Sequence, residues 1–293
     1  MTEIDQVIEH GSCPGAFAGA GNDMSMHPSL ADFVGIQKDT PIYRYMGLEE
    51  FHCLMNGTLC LTCPFKWVEA DGGDRWENVL FQTKIYRDEK QIDTETDGRK
   101  TYVQCWTHVP ESDAMWRLYG GDRSVKIRTT AGKLLNAVKR SIPPAKDDRD
   151  LFILFKIGRV SYLKEDEIRG FFSTREKIDE AIRCHHETMM IKRDFYSHEN
   201  EVRLVAYDFN DENRRLEMDR HNLKFSPEKP DHLDIQIGAG TAGKWIDELV
   251  IDPRLSDFWK RVVRDLVLKT KFDENRIKES SLLAKPEIVI RLE

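Results

Sequence analysis

The sequence has no long uninterrupted apolar run, so nothing in it reads as a membrane-spanning helix. It is poor in cysteine: six in 293 residues are too few for a disulfide scaffold in a chain of this size. It also lacks an excess of basic charge. Lys and Arg number 44 against 51 Asp and Glu, a net charge of −7, so diffuse affinity for phosphate backbones is not expected, although a local basic patch is still compatible with that total. The opening stretch, MTEIDQVIEHGS, does not have the basic-then-apolar layout of a secretory leader, and a cytoplasmic location with no membrane partner is the expectation. What is present is ordinary for a globular chain: 40% hydrophobic and 32% charged residues, enough for a substantial core.

Residues 1–36 include the Gly- and Ala-rich PGAFAGAGND, show no sustained periodicity, and read as a flexible extension; residues 37–293 read as a single domain. TPIYRYM, TLCLT, TYVQCWTH and SVKIRTT have the β-branched and aromatic content of strands, and FILFKIGRVSYL reads as two strands around Gly158. Leu48, Phe51, Leu54 and Met55 have helical spacing, and Asn56-Gly57 supplies the stop. SDAMWRLYGG, AGKLLNAVKRS and residues 255–269 read as further helices, and Ser173 with Glu176 fits a capping box. Late strands are expected in LDIQI, ELVIDP and EIVIRL. Strands and helices do not alternate strictly, which predicts an α+β fold rather than a doubly wound parallel sheet.

Three motifs invite a chemical reading. GAGTAGK, residues 238–244, matches G-x-G-x-x-G, but KWIDE is too short for the crossover helix of a dinucleotide fold, and Trp245 stands where a P-loop needs Ser or Thr; it reads as a connection. Cys60 and Cys63, with Cys184-His185-His186, have residue types that suit zinc, yet GTLCLTCP reads as a buried strand, and no metal is expected. YSHENEVRLVAYD, residues 196–208, reads as a strand with Glu199, Glu201 and Arg203 on one face and Val202, Leu204 and Ala206 on the other, and Val205 and Tyr207 continue the charged face. The charged face fits either a solvated strand start or a carboxylate pair held rigidly for chemistry. Arg44, between two tyrosines, has the donor geometry to clamp a phosphate or to pair with a nearby acid. Tyr45, Trp67, Trp106, Trp116 and Tyr119 offer flat faces, or core packing.

The order of IYRYMGLEEFHCLMNGTLCLTCPFKW, CWTH, DAMWRLYGG, FYSHENEVRLV and IDELVIDP resembles the bacterial domain-of-unknown-function family 2971 over residues 41–282, with ADGGD where members carry Asn-Asp-Pro. That resemblance implies a toxin-like or phage-defence setting with an antitoxin or immunity partner. A strand bearing Arg, a helix ending in Asn-Gly, a strand with a hydroxyl residue and a late E-x-E strand are also similar to the ADP-ribosyltransferase superfamily, although LTC replaces its Ser-Thr-Ser. This second resemblance implies a mostly antiparallel split β-sheet core with flanking helices. It implies NAD as a substrate and an ADP-ribose acceptor that is a protein or nucleic acid. The catalytic residues it implies are Glu201, Glu199 and Arg203; the NAD-binding residues are Arg44, Tyr45, Thr62, Trp106, Trp116 and Tyr119. Cleaving the nicotinamide–ribose bond builds positive charge on the sugar, which a carboxylate stabilises, and a second carboxylate can deprotonate the acceptor. Two other functions stay open: a magnesium-dependent nuclease using Asp71, Asp74, Glu77 and the glutamate pair, and a non-catalytic interaction or nucleotide-binding protein of the same fold.

Overall fold

The computed structural model describes residues 32–69, 74, 76–87, 89–92, 94–141, 153–183, 188–208, 223–226 and 229–286. Its strands are β1 (Phe33–Val34), β2 (Pro41–Gly47), β3 (Thr58–Thr62), β4 (Ile85–Arg87), β5 (Lys90–Ile92), β6 (Thr101–Thr107), β7 (Ser124–Thr130), β8 (Ile153–Arg159), β9 (Ser161–Leu163), β10 (Ile191–Arg193), β11 (Glu201–Asp208), β12 (Leu223–Ser226), β13 (Lys229–Gln236), β14 (Glu248–Ile251) and β15 (Ile277–Glu279). Eleven of them form one sheet in the order β1-β8-β11-β6-β2-β7-β14-β15, with β3, β13 and β12 branching from β6. Pairing is antiparallel apart from the β1–β8 and β14–β15 pairs at the edges. The fold is α+β with a mostly antiparallel sheet.

One face of the sheet carries the main core. Val202, Leu204 and Ala206 of β11 meet Phe51, Leu54 and Met55 of helix Leu48–Met55, Leu134 and Val138 of helix Ala131–Ser141, and Val263 and Val267 of helix Asp257–Lys269 in one buried cluster. A second cluster, with Leu80, Phe81, Val103, Met189, Met190 and Val205, covers the opposite face. Every residue of β11 is therefore buried, unlike the one-sided solvation that an exposed antiparallel face allows.

The sheet splits at β6. Along one edge β6 pairs with β11 from Glu201↔Thr107 to Tyr207↔Thr101. Along its other edge β2 reaches it only at Tyr43↔Thr107, and β3 only at Thr62↔Val103. Side chains satisfy backbone carbonyls near the divergence: the Arg44 guanidinium donates to the Cys105 carbonyl, and Gln104 Nε2 donates to the Cys60 carbonyl at 3.0 Å.

The structure corrects several expectations. Phe33 and Val34 already pair with β8, and Asp32 forms an ion pair with Lys139, so sheet pairing begins before residue 37; residues 1–31 lie outside the described residues. The FILFKIGRVSYL strands separate at Val160 rather than at Gly158. In SDAMWRLYGG only Asp113–Met115 is α-helical, and Trp116–Gly120 continues as a π-helix. Thr174, not Ser173, caps helix Arg175–Arg183, its Oγ1 accepting from the Lys177 N–H at 3.4 Å. EIVIRL and Cys184-His185-His186 lie outside the described residues. GAGTAGK holds a turn and the short helix Ala242–Trp245, and Gly57 (φ +92°) packs so tightly on it that a Cβ there would come 2.4 Å from the backbone of Gly238 and Ala239.

Candidate active site

A cavity of about 410 Å³ is lined by Tyr43–Tyr45 of β2, Cys105–Thr107 at the end of β6 and the start of β11. Arg44 of β2 and Glu201 and Arg203 of β11 all line it, with Glu199 just before β11. Tyr43, Tyr45, Trp67, Tyr119 and Tyr196 give it aromatic walls.

Glu199 is not on the strand. It ends the 3-10 turn Asp194–Glu199, and Asn200 takes a left-handed conformation (φ +45°) before β11 starts at Glu201. Asn tolerates that conformation better than most residues. The bend still delivers Glu199 beside Glu201, because the Thr107 hydroxyl on β6 donates to the Glu199 carbonyl at 2.5 Å. Glu199, Glu201 and Arg203 are only 6%, 4% and 1% exposed, so the charged face is not a solvated strand start.

Buried carboxylates need partners. Arg203 supplies a planar fork: Nε reaches Glu201 Oε1 and Nη2 reaches Glu201 Oε2, each at 3.0 Å. The same Nη2 reaches both oxygens of Glu77 at 2.9 Å, and Nη1 donates to the Met189 carbonyl at 2.7 Å. Trp67 lies under the guanidinium, 5.2 Å from its ring centroid. Lys192 bridges the acids, with Nζ at 2.6 Å from Glu199, 3.3 Å from Glu77 and 3.4 Å from Glu201. The Tyr119 hydroxyl donates to Glu199 Oε1 at 2.5 Å, and Tyr162 Oη accepts the Glu201 backbone N–H at 2.7 Å.

Charge states follow from this packing. Burial pushes the Glu201 carboxyl up, but Arg203 and Lys192 outweigh it and hold the group at about 2. Burial pulls the Lys192 ammonium down, and Glu201 and Glu77 reverse that, so it stays charged above its usual range. Burial, then the hydrogen bond to Glu199, raises the Tyr119 phenol. Desolvation, with Glu201 beside it, likewise raises the Cys105 thiol, which stays protonated. Because Glu201 titrates lower in the fold than in the unfolded chain (4.5), its contribution to stability is present above that value and is lost as pH falls toward 2. At 1.36 kcal/mol per unit this is on the order of 3 kcal/mol. Urea midpoints measured at pH 7, 5 and 3 should fall most steeply below pH 5, and Glu201→Gln should flatten that slope.

The expected NAD-binding residues divide. Arg44, Tyr45 and Tyr119 line the cavity, and so does Trp106. Trp106 is nevertheless a core residue, 2% exposed, with its Nε1 donating to Gln104 at 3.0 Å. Trp116 is fully buried under the π-helix, stacked edge-on to Tyr45 at 4.9 Å and donating to Glu111 at 2.6 Å; it does not line the cavity. Thr62 does not line it either: it pairs with Val103, further along β6, and lies 3.5 Å from His232 Nδ1. Arg44 is already paired, with Nη2 at 2.5 Å and Nε at 3.1 Å from Glu50 Oε1. Of the acids considered for a nuclease, Asp74 and Glu77 line the cavity and Asp71 lies outside the described residues; Glu77 is engaged by Arg203 and Lys192. No grouping of three or more metal-ligating side chains suited to an ion occurs among the described residues. The residues that sequence reasoning missed are Lys192, Tyr43, Tyr162 and Tyr196. The only signal for Lys192 was that three buried acids need more than one cation.

No helix among the described residues is long and apolar enough to cross a membrane. Comparison with curated proteins and with solved structures gave no match in either case. Residues 115–204, which run from the π-helical turn through Lys192 and Glu199 to Arg203 on β11, match the model of a family described as a protein of unknown function, DUF2971.

Proposed function

We propose that the cavity takes the nicotinamide–ribose half of NAD and that the protein transfers ADP-ribose from it to a protein or nucleic-acid acceptor. The observation that carries this reading is the meeting of Arg44 on β2 with Glu199 and Glu201 at one ligand-sized cavity. The lining holds five acidic side chains, Glu50, Asp74, Glu77, Glu199 and Glu201, against the basic Arg44, Lys192 and Arg203, an acidic excess that suits a cationic ring and a sugar developing positive charge. In the reaction the C1′–N bond breaks and its electron pair leaves with nicotinamide, which becomes neutral. C1′ then bonds to the acceptor's nucleophilic oxygen or nitrogen, whose proton passes to Glu199. Glu201, held ionised, stabilises the sugar cation. By the family resemblance we place this activity in a toxin or phage-defence effector, cytoplasmic because NAD is, with an antitoxin or immunity partner. Incubating the full chain with NAD and following free nicotinamide tests the reading: time-dependent release supports it, and none in the presence of candidate acceptors contradicts it.

Arg44 holds a phosphate in this reading by exchanging Glu50, whose side chain is 36% exposed and free to turn toward water. Arg44→Lys is expected to weaken NAD binding about tenfold, because Lys lacks the planar fork. Calorimetric titration checks this; unchanged affinity with a lowered melting temperature assigns Arg44 to pairing with Glu50 alone.

One observation favours a second reading. Both oxygens of Glu201 are already engaged by Arg203, which suits a nucleotide-binding protein without turnover. That protein would bind NAD and release no nicotinamide.

A further inference from the structure

Both oxygens of Glu199 are engaged: Lys192 Nζ donates to Oε2 at 2.6 Å, and the Tyr119 hydroxyl donates to Oε1 at 2.5 Å. Glu199 is only 6% exposed, which leaves an acceptor atom little room to reach it directly. The two partners differ in what they can do with a proton. The Lys192 ammonium only donates; its side chain is 11% exposed and lies against the Tyr196 ring, 4.8 Å from its centroid. A phenol has one donor and two acceptor lone pairs. Tyr119 spends its donor on Glu199, and its oxygen makes no other hydrogen bond among the described residues. Tyr119 also lines the cavity and is 44% exposed, the more open of the two partners. Turns of π-helix often occur at functional sites, and this one, Trp116–Gly120, brings Tyr119 to Glu199.

We propose that Tyr119 is a catalytic residue that relays the acceptor's proton to Glu199. The inference rests on the NAD reading and adds the path by which the acceptor is activated. As the acceptor's oxygen or nitrogen bonds to C1′, its proton moves to Tyr119 Oη, and the proton already on Oη moves to Glu199 Oε1. Tyr119 ends as it began and Glu199 ends protonated. The electron pair of the broken C1′–N bond has left with nicotinamide. Burial and the bond to Glu199 raise the phenol, so a standing tyrosinate is not the base and the two protons move together.

The test puts two small nucleophiles in place of the macromolecular acceptor. Water must lose a proton as it attacks, whereas hydroxylamine attacks as a free amine and sheds its proton to solvent afterwards. The full chain is incubated with NAD and hydroxylamine, and free nicotinamide, ADP-ribose and the hydroxylamine adduct are followed in one sample. Tyr119→Phe removes only the oxygen of a half-exposed ring. It should lower ADP-ribose formation at least about tenfold, the low end for losing an acid–base group, and raise the ratio of adduct to ADP-ribose by a similar factor. That ratio does not depend on how much of the variant is folded. A loss that falls equally on both products leaves the ratio unmoved; it assigns Tyr119 to holding Glu199 in place and overturns the relay alone. Unchanged ADP-ribose formation, or a wild type that uses hydroxylamine and not water, also overturns the relay alone. A wild type that releases no nicotinamide with either nucleophile overturns the NAD reading as well.

Discussion

Replacing Arg203 by Met is expected to remove about 3–5 kcal/mol of folding stability, the cost of leaving buried carboxylates without their cation. Arg203 is 1% exposed and is the shared partner of Glu77 and Glu201, both buried. Lys192 remains, but its single ammonium is already drawn to three acids. At roughly 2–4 °C per kcal/mol the melting temperature should drop by about 10 °C. Arg203→Lys keeps the charge and loses the fork that reaches Glu201, Glu77 and the Met189 carbonyl together, so an intermediate loss is expected. Thermal melts of the three proteins check this order; a Met variant as stable as the wild type would mean that the cluster contributes little to folding.

Glu201→Gln should lower NAD turnover by at least about a hundredfold, the scale for losing one preorganised electrostatic group at a developing charge. The loss should fall on kcat, with NAD affinity changed less, because the sugar cation exists only near the transition state. The burial of Glu201 between Arg203 and Lys192 means that the variant will also be less stable, so rates must be compared below its melting temperature, with near-ultraviolet circular dichroism confirming the fold. Unchanged kcat would remove Glu201 from the chemistry.

The parts of this site that were legible in the sequence are those set by local periodicity. Alternation along β11 put Val202, Leu204 and Ala206 in the core and Glu201 with Arg203 on the other face, as found. Helical spacing and Asn56-Gly57 delimited the helix that carries Glu50 beside Arg44. Position along the chain could not reveal which distant segments meet. Lys192 becomes a functional candidate only when β10 folds over β11, and Glu77, a candidate magnesium ligand in the sequence, becomes a partner of Arg203 only when the segment before helix Val79–Gln82 does the same. Thr62 was misplaced because a hydroxyl on β3 was matched by order, while its register sets it against Val103, away from the cavity. Trp116 was misplaced because π-helical winding changes which residues of WRLYG share a face, turning Tyr119 to Glu199 and Trp116 inward. Glu199 belonged to a turn because Asn200 breaks the strand, a signal present in the letters but ambiguous without the backbone.

The most direct measurement is a crystal structure of the protein with NAD bound. Density for the nicotinamide–ribose half is expected in the cavity between Arg44 and Glu201. NAD bound elsewhere on the molecule, or an empty cavity at saturating NAD, would contradict it.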